Sequence, residues 1–177
     1  ADFQLNPKVQ ATTDIEQAVS CAHIVFVAVP SHSCRSVSQQ IANFLPPEAM
    51  VVSVTKGIET AEFKLMSQVL KEELSNNAIG VLSGPNLAIE IVQRQLTGTV
   101  IASESNQLIE TVQAVLQSNY FRVYSSRDIF GVELGGALKN IYAIISGMAA
   151  AMKLGDNTKA MLMTRSLAEM SRFAVSM

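Results

Sequence analysis

The sequence has no tryptophan, only two cysteines and few aromatic residues, 6% of 177. It also lacks an excess of either charge, because 13 Lys and Arg stand against 15 Asp and Glu. A surface for nucleic acid or for an anionic membrane would need a basic excess, so neither partner is expected. Cys21 and Cys34 match no metal-ligand spacing, which argues against a zinc module, a disulfide scaffold or another metal site.

A run long enough to cross a membrane is also missing. The longest strongly apolar stretch, residues 141–152, includes a serine and a glycine and is shorter than the roughly 20 residues that a spanning helix needs. Hydrophobic types make up 49% of the chain and charged types 16%, a balance typical of a packed globular core. The sequence therefore predicts a soluble, intracellular protein without a membrane span.

Short apolar runs alternate with amphipathic stretches through the first 126 residues. Runs rich in β-branched residues predict strands at 24–29, 50–55 and 79–83, with two more at 98–102 and 120–124. Helical patterns occupy 34–44, 61–74 and 107–117, and a capping box at 13–16 predicts a short helix before them. Strands that alternate with helices predict an α/β fold with an open, doubly wound parallel sheet.

The pattern changes after Ser126, where only helices are predicted, at 128–152 and 157–177. We therefore predict two domains, a sheet domain at 1–126 and the beginning of an all-helical domain at 127–177. The chain opens at Ala1 without a leader and stops at Met177 inside a predicted helix that has no terminating Gly or Pro. This favours a piece of a longer protein.

Polar or backbone-permissive residues follow each of the first three predicted strands. Because ligands of open parallel sheets bind beyond the carboxyl ends of the strands, these residues are expected to share one crevice. A solvated surface charge at Lys56 and a generic turn at Gly84 are the alternatives that the sequence leaves open. The residues are Ser31 and His32 after the first strand, Lys56 and Gly57 after the second, and Gly84, Pro85 and Asn86 after the third.

The helix predicted at 128–152 has apolar residues around its whole circumference, which predicts burial. Gly135, Gly136, Ala143 and Ser146 fall on the same side as Lys139, at about 100° per residue. Small residues leave room for a ligand beside the lysine, and burial would lower its pKa toward a value suited to proton transfer. The alternative is a lysine that reaches solvent.

Six short segments occur in a fixed order: Val-Pro-Ser-His at 29–32, Thr-Lys-Gly-Ile-Glu at 55–59, Ser-Gly-Pro-Asn at 83–86, Phe-Arg-Val-Tyr at 121–124, Gly-Val-Glu-Leu-Gly-Gly-Ala-Leu-Lys-Asn at 131–140 and Gly-Asp-Asn-Thr-Lys-Ala at 155–160. The ordered set resembles the NAD(P)-dependent glycerol-3-phosphate dehydrogenases. The resemblance implies a Rossmann-like oxidoreductase that transfers hydride reversibly between NADH or NADPH and dihydroxyacetone phosphate or sn-glycerol 3-phosphate. It further implies a cytoplasmic homodimer whose product feeds phospholipid synthesis.

The resemblance also assigns expected roles to individual residues. Lys139 matches the catalytic proton donor and acceptor, and Lys56 matches a second lysine that contacts both cofactor and substrate. Asn86 stands where the family usually has Ser or Thr, and its amide offers a hydrogen bond in place of the hydroxyl. The expected substrate-binding set is Lys56, Gly84, Asn86 and Asn140, and the expected cofactor-binding set is Ser31, His32, Lys56 and Ala88.

Three family motifs are not found in these 177 residues: the Gly-x-Gly-x-x-Gly loop, a catalytic-site Asp and an Arg-Asn pair for the substrate phosphate. We therefore expect the isolated chain to be inactive. Two alternatives to the main interpretation remain open at this stage. One is another two-domain NAD(P)-dependent dehydrogenase, of the β-hydroxyacid type, and the other is a non-catalytic nucleotide-binding or dimerisation module.

Overall fold

A computed structural model describes residues 5–176, in which helices and strands alternate as the sequence predicts. The strands are β1 Ile24–Val27, β2 Met50–Ser53, β3 Ala78–Ser83, β4 Thr97–Ser103 and β5 Phe121–Ser126. The helices are α1 Ile15–Val19, α2 Ser31–Ala42, α3 Met66–Glu73, α4 Ala88–Val92, α5 Asn106–Leu116, α6 Ile129–Ala151 and α7 Asp156–Ser176. The predictions about Ala1 and Met177 lie outside the described residues.

The five strands form one sheet in the order β1-β2-β3-β4-β5. The strands β1, β2 and β3 are parallel, so the prediction of a parallel sheet is confirmed for them. It is wrong for β4, which runs antiparallel to β3, and for β5, which is parallel to β4. The physical reason lies in the connection after β3. Its only helix, α4, has five residues, whereas a parallel crossover is usually made by a full helix that spans the sheet.

Helices cover both faces of the sheet. On one face α2 and α3 pack on β1 to β3 around buried Val51, Met66 and Leu70. On the other face α5 packs on β2 to β5 around Ile101, Leu108 and Val112. The first-face layer is extended by α6, through contacts of Ile129 with Val81 and Ala102. Burial of these side chains is the main source of stability, at about 25 cal/mol per Å² of apolar surface removed from water.

The long helix α6 differs between its two halves. Asp128 caps its N-terminus, where Oδ1 accepts a hydrogen bond from the Gly131 amide. Residues up to Gly136 are partly or fully buried against the sheet, but most residues from Lys139 onward are exposed. The prediction of a helix buried along its whole length is therefore wrong for the second half, against which α7 is the main neighbour among the described residues.

Among the described helices, α6 is the one that is long and apolar enough to cross a membrane. A single such helix is weak evidence, since core helices of water-soluble proteins meet the same criteria. The sequence-based exclusion of a span thus stays a prediction. The division into domains at residue 126 also stays a prediction, although β5 ends at that residue.

Candidate active site

The carboxyl ends of β1 and β2 are joined by a buried hydroxyl. Thr55, directly after β2, donates from Oγ1 to the carbonyl oxygen of Val29 at 2.9 Å. This bond holds the segment leading into α2 beside the turn that carries Lys56. The expected crevice at the ends of the parallel strands is therefore present, because β1, β2 and β3 all end at the same edge.

The turn at Gly57 lies against the first residue of α2. Gly57 has φ +136°, and a Cβ at this position would lie 2.8 Å from both Cβ and Oγ of Ser31. Only glycine combines this backbone angle with such a close approach. Two residues further on, Glu59 accepts two hydrogen bonds from the Arg35 guanidinium, at 2.7 and 2.8 Å. The turn after β2 is thus fixed to α2 on both sides of Ile58.

Lys56 extends from this turn toward the end of β3. Its Nζ donates to Ser83 Oγ at 2.8 Å and lies 3.4 Å from the Leu82 carbonyl oxygen. Burial lowers the pKa of the half-buried Lys56 amine below its usual value, the nearby Lys139 charge lowers it further, and the Glu133 carboxylate opposes both. Lys56 is therefore an ammonium group with reduced hydration and no ion-pair partner among the described residues.

The backbone of α6 passes directly over Lys56. A Cβ placed on Gly136 would lie 2.6 Å from Ser83 Oγ and 3.2 Å from Lys56 Nζ. The same test on Gly135 finds no atom within 4 Å. Of these two adjacent glycines, only Gly136 makes such a close contact, so a methyl group there would have to displace the Ser83 hydroxyl and the Lys56 amine.

The segment after β3 is held by hydrogen bonds to β4. Asn86 donates from Nδ2 to Thr99 Oγ1 at 3.1 Å, and Thr99 Oγ1 donates to the Ser83 carbonyl oxygen at 3.1 Å. A Cβ on Gly84 would lie 2.8 Å from the Gly98 carbonyl oxygen and from Thr99 Cα. Close packing between β3 and β4 therefore accounts for Gly84, whether or not a ligand also contacts its backbone.

A cavity of about 980 Å³ opens at this edge of the sheet. It brings together four of the predicted site residues, Lys56, Gly84, Asn86 and Lys139. Its apolar wall includes Phe26, Val54 and Leu82, followed by side chains of α5 and β5. A cavity with ammonium groups on one side and an apolar wall on the other suits an anionic ligand that carries a flat ring.

Lys139 is exposed, so the prediction that it is buried is wrong. The reason is its position at the point where α6 leaves the sheet. The other predicted residues are mostly peripheral: Ser31 and His32 lie in the first turn of α2, and Ala88, at the start of α4, and Asn140 are exposed. None of these four lines the cavity. All roles assigned to individual residues stay predictions.

Three polar residues at the site were not predicted. Ser83 is the buried hydrogen-bonding partner of Lys56, and Thr99 is that of Asn86. For Ser83 the one sequence signal was its position at the end of a predicted strand, and for Thr99 there was none. Glu133 is buried on α6 with 4% of its surface exposed. A single acidic residue in an otherwise apolar helix could have indicated a specific buried contact, because buried carboxylates almost always have a partner.

The chemistry available at the cavity is that of two ammonium groups. Neither Lys56 nor Lys139 forms an ion pair with any carboxylate of residues 5–176. Such groups attract an anionic ligand and stabilise negative charge that develops on a carbonyl oxygen during reduction. The described residues contain no cluster of three His, Cys, Asp or Glu side chains suited to a metal ion.

Two family models match the chain. The NAD-dependent glycerol-3-phosphate dehydrogenase N-terminus matches residues 1–109, and the C-terminus of the same family matches residues 128–177. Residues 110–127, between the two matches, contain most of α5 and all of β5. Together the two matches include every predicted site residue.

Individual curated enzymes are also similar to this chain in sequence. The glycerol-3-phosphate dehydrogenase [NAD(P)+] of Teredinibacter turnerae is 54% identical over 175 residues, which are 99% of this chain and 52% of that protein. The enzyme of the same name from Acinetobacter baylyi is 56% identical over 176 residues, 99% of this chain and 49% of that protein. The chain thus spans about half the length of the curated relatives it matches.

A solved structure agrees with the fold. The crystal structure of glycerol-3-phosphate dehydrogenase from Coxiella burnetii superimposes with a TM-score of 0.91 at 30% identity. The match covers 99% of this chain and 54% of the Coxiella chain. The Rossmann-like α/β sheet followed by helices, expected from the sequence, is thereby confirmed.

Proposed function

Because the chain belongs to the NAD-dependent glycerol-3-phosphate dehydrogenase family, we propose that it carries part of the active site of an enzyme that interconverts dihydroxyacetone phosphate and sn-glycerol 3-phosphate. The observation that carries this proposal is the placement of Lys56 and Lys139 on one cavity at the carboxyl edge of the sheet. A phosphorylated ketone presents an anion and a carbonyl oxygen, the two groups that ammonium side chains recognise and polarise.

The two lysines have different environments and therefore different roles. The exposed Lys139 gives its proton to the C2 oxygen as the ketone is reduced and takes it back in the reverse direction. Lys56, held by Ser83 at 2.8 Å, stabilises negative charge on the same oxygen without leaving its position. Asn86 and Asn140 supply further hydrogen bonds to the substrate, and Gly84 offers its backbone.

A nicotinamide cofactor fits the apolar side of the cavity. Phe26, Val54 and Leu82 form a wall against which the nicotinamide ring would lie beside Lys56. Bound NADH or NADPH supplies the hydride. The proposal assigns contacts with the remainder of the dinucleotide to Ser31 and His32, at the start of α2, and to Ala88, at the start of α4. The residues present favour neither NAD nor NADP.

The family membership also supports a cytoplasmic location, a role in phospholipid synthesis and assembly as a homodimer. None of these depends on the geometry of the cavity. Light scattering on the full-length protein that contains these 177 residues measures the assembly. A monomer at micromolar concentration would contradict the homodimer while leaving the proposed reaction intact.

The direct test is oxidation of NADH or NADPH by the full-length protein with dihydroxyacetone phosphate. We expect turnover, and we expect Lys139→Met to lower kcat by roughly two to four orders of magnitude, the usual contribution of a general acid. Lys153→Met, an exposed lysine after α6, is the matched control and should leave kcat unchanged. Residues 1–177 alone should show negligible turnover.

Three outcomes would contradict the proposal. A folded full-length protein that reduces only a non-phosphorylated ketone would point to a dehydrogenase of the β-hydroxyacid type. Binding of dinucleotide without reduction of any ketone would point to a non-catalytic module. Wild-type kcat in a correctly folded Lys139→Met variant would remove Lys139 from proton transfer.

A further inference from the structure

Glu133 is a buried carboxylate that the proposed reaction does not use. It lies in the second turn of α6 with 4% of its surface exposed. Both of its carboxylate oxygens accept from the Ser67 backbone amide, at 3.0 and 3.3 Å. Ser67 belongs to the first turn of α3, so the carboxylate connects α6 to a helix of the sheet domain.

This contact is the cap of α3. Leu65 precedes the helix and its side chain has no acceptor, so the Ser67 amide depends on a group from elsewhere in the chain. A carboxylate at a helix N-terminus is favourable because it faces the positive end of the helix dipole. An amide oxygen would satisfy the same Ser67 donor without any charge, so capping alone does not require a glutamate.

The charge of Glu133 is costly where it lies. Burial raises its pKa above the usual value, although the Ser67 side chain, the Ser67 and Met66 amides and the Lys56 charge oppose the rise. A carboxyl group whose pKa is higher in the folded state than in the unfolded state stabilises the fold most at low pH. Its contribution to the free energy of unfolding falls as the pH rises past the unfolded value. The ionised form therefore lowers stability at neutral pH.

Few charged groups surround the carboxylate. Lys56, on the turn after β2, is the cation that favours its ionised form. Across the cavity, Lys139 acts on Lys56 with the opposite sign. On α2 the buried Cys34 thiol is held neutral by burial and by the charges of Glu133 and Glu59, and Arg35 acts the other way. Two charges carried by α6, the Glu133 carboxylate and the Lys139 ammonium group, thus act on the pKa of Lys56 with opposite signs.

We propose that Glu133 is a positioning residue for the site: its hydrogen bond from the Ser67 amide fixes α6 over Lys56, and its carboxylate lies on the same face of α6 as Gly136, which contacts that lysine. The inference rests on the proposed function only in that Lys56 is the group that meets the substrate. Gly136, one turn further along α6, shows how close this helix lies to the site. A methyl group on Gly136 would contact the Ser83 hydroxyl and the Lys56 amine.

The decisive experiment measures the protonation of Lys56 without turnover. Lysines of the full-length protein are reductively methylated with a ¹³C label and titrated by NMR, with Lys56→Arg identifying the resonance of interest. We expect Glu133→Gln to lower the pKa of Lys56 by about half a unit or more, a roughly threefold loss of proton affinity. Glu133→Asp, which keeps the charge, should return the pKa toward the wild-type value. An unchanged Lys56 titration in Glu133→Gln would overturn the proposal.

Activity and stability then separate positioning from a purely structural role. In Glu133→Gln the alkaline limb of the kcat/KM profile should move to lower pH. The value of kcat/KM should fall roughly three- to tenfold at pH values above that limb and change little at lower pH. The melting temperature at neutral pH should stay the same or rise, because the costly buried charge is gone. A lowered melting temperature with a uniform loss of activity at every pH would show that Glu133 only supports the fold.

The two proposals fail in different ways. If the full-length protein reduces no phosphorylated ketone, the proposed function fails, but the Lys56 titration still decides the role of Glu133. If turnover is present and the titration does not respond to Glu133→Gln, the reaction stands and the inference about Glu133 is wrong.

Discussion

The two halves of α6 have similar composition and opposite surroundings. In the first half Leu134 is 1% exposed and Gly136 touches Lys56 and Ser83, whereas in the second half Ile144 is 66% exposed. The first half meets β3 and β4, and the second half meets mainly α7. An apolar sequence therefore does not by itself tell which part of a helix is covered, because burial depends on what the rest of the chain places beside it.

The same comparison separates the two lysines of the site. Lys56 lies under the buried half of α6 and is half-buried, and Lys139 begins the exposed half. The two candidate lysines therefore lie at the boundary between a packed region and an exposed one. Such a boundary gives one cation a fixed position and leaves the other room to approach a ligand.

The largest expected effect tests whether the two halves differ in stability. In residues 1–177, Leu134→Ala should lower the free energy of unfolding by about 2–5 kcal/mol, because it removes a fully buried side chain and leaves a cavity. Ile144→Ala is the matched control and should change it by less than about 0.5 kcal/mol. Urea unfolding measures both. Equal losses would show that the second half is not exposed, and a larger loss for Ile144→Ala in the full-length protein would show that another segment covers it.

A smaller effect distinguishes the adjacent glycines. Gly136→Ala should destabilise the protein by about 1–3 kcal/mol, because its methyl group would overlap Ser83 Oγ and displace the Lys56 amine. Gly135→Ala meets no atom within 4 Å and should stabilise the helix by about 0.5–1 kcal/mol, since alanine is the better helix former. Thermal unfolding compares them. A Gly136→Ala variant as stable as Gly135→Ala would mean that α6 does not approach Lys56 this closely.

The smallest effect concerns pH. The pKa of Lys56 is lowered in the folded state, so the unfolded chain binds more protons between the folded value and the ordinary value of about 10.4. The free energy of unfolding should therefore rise with pH across this window. Lys56→Met should lose that rise, and Lys139→Met should keep most of it, because burial is the larger cause of the lowered pKa. Urea unfolding at a series of alkaline pH values tests this, and an identical pH slope in wild type and Lys56→Met would contradict the burial of Lys56.

Much of the fold could be predicted from local sequence. All five strands and the long helices lie within a few residues of their predicted bounds, because buried strands are continuous β-branched runs and helices have periodic apolar faces. The reversal of β4 was missed because it depends on the length of the helix after β3. The residues at 84–96 indicated a helix start but not that the helix would end after five residues.

The candidate site was predictable in part for a similar reason. Lys56, Gly84 and Asn86 follow strands that proved to be parallel neighbours, so their meeting at one edge follows from topology. The burial of Lys139 was predicted from helix composition and is wrong. Glu133 was missed because its partner is the start of α3, 66 residues away along the chain.

By itself, the sequence determined which segments become strands or helices and which polar residues follow the parallel strands, since both depend on side-chain type and short-range periodicity. Only the tertiary structure decided the direction of β4, the uneven burial of α6 and the placement of a glutamate and a lysine from distant segments around one glycine. These features depend on contacts between residues far apart in the chain. The free energies of burial and of charge interactions are set by those spatial neighbours, which local sequence patterns do not identify.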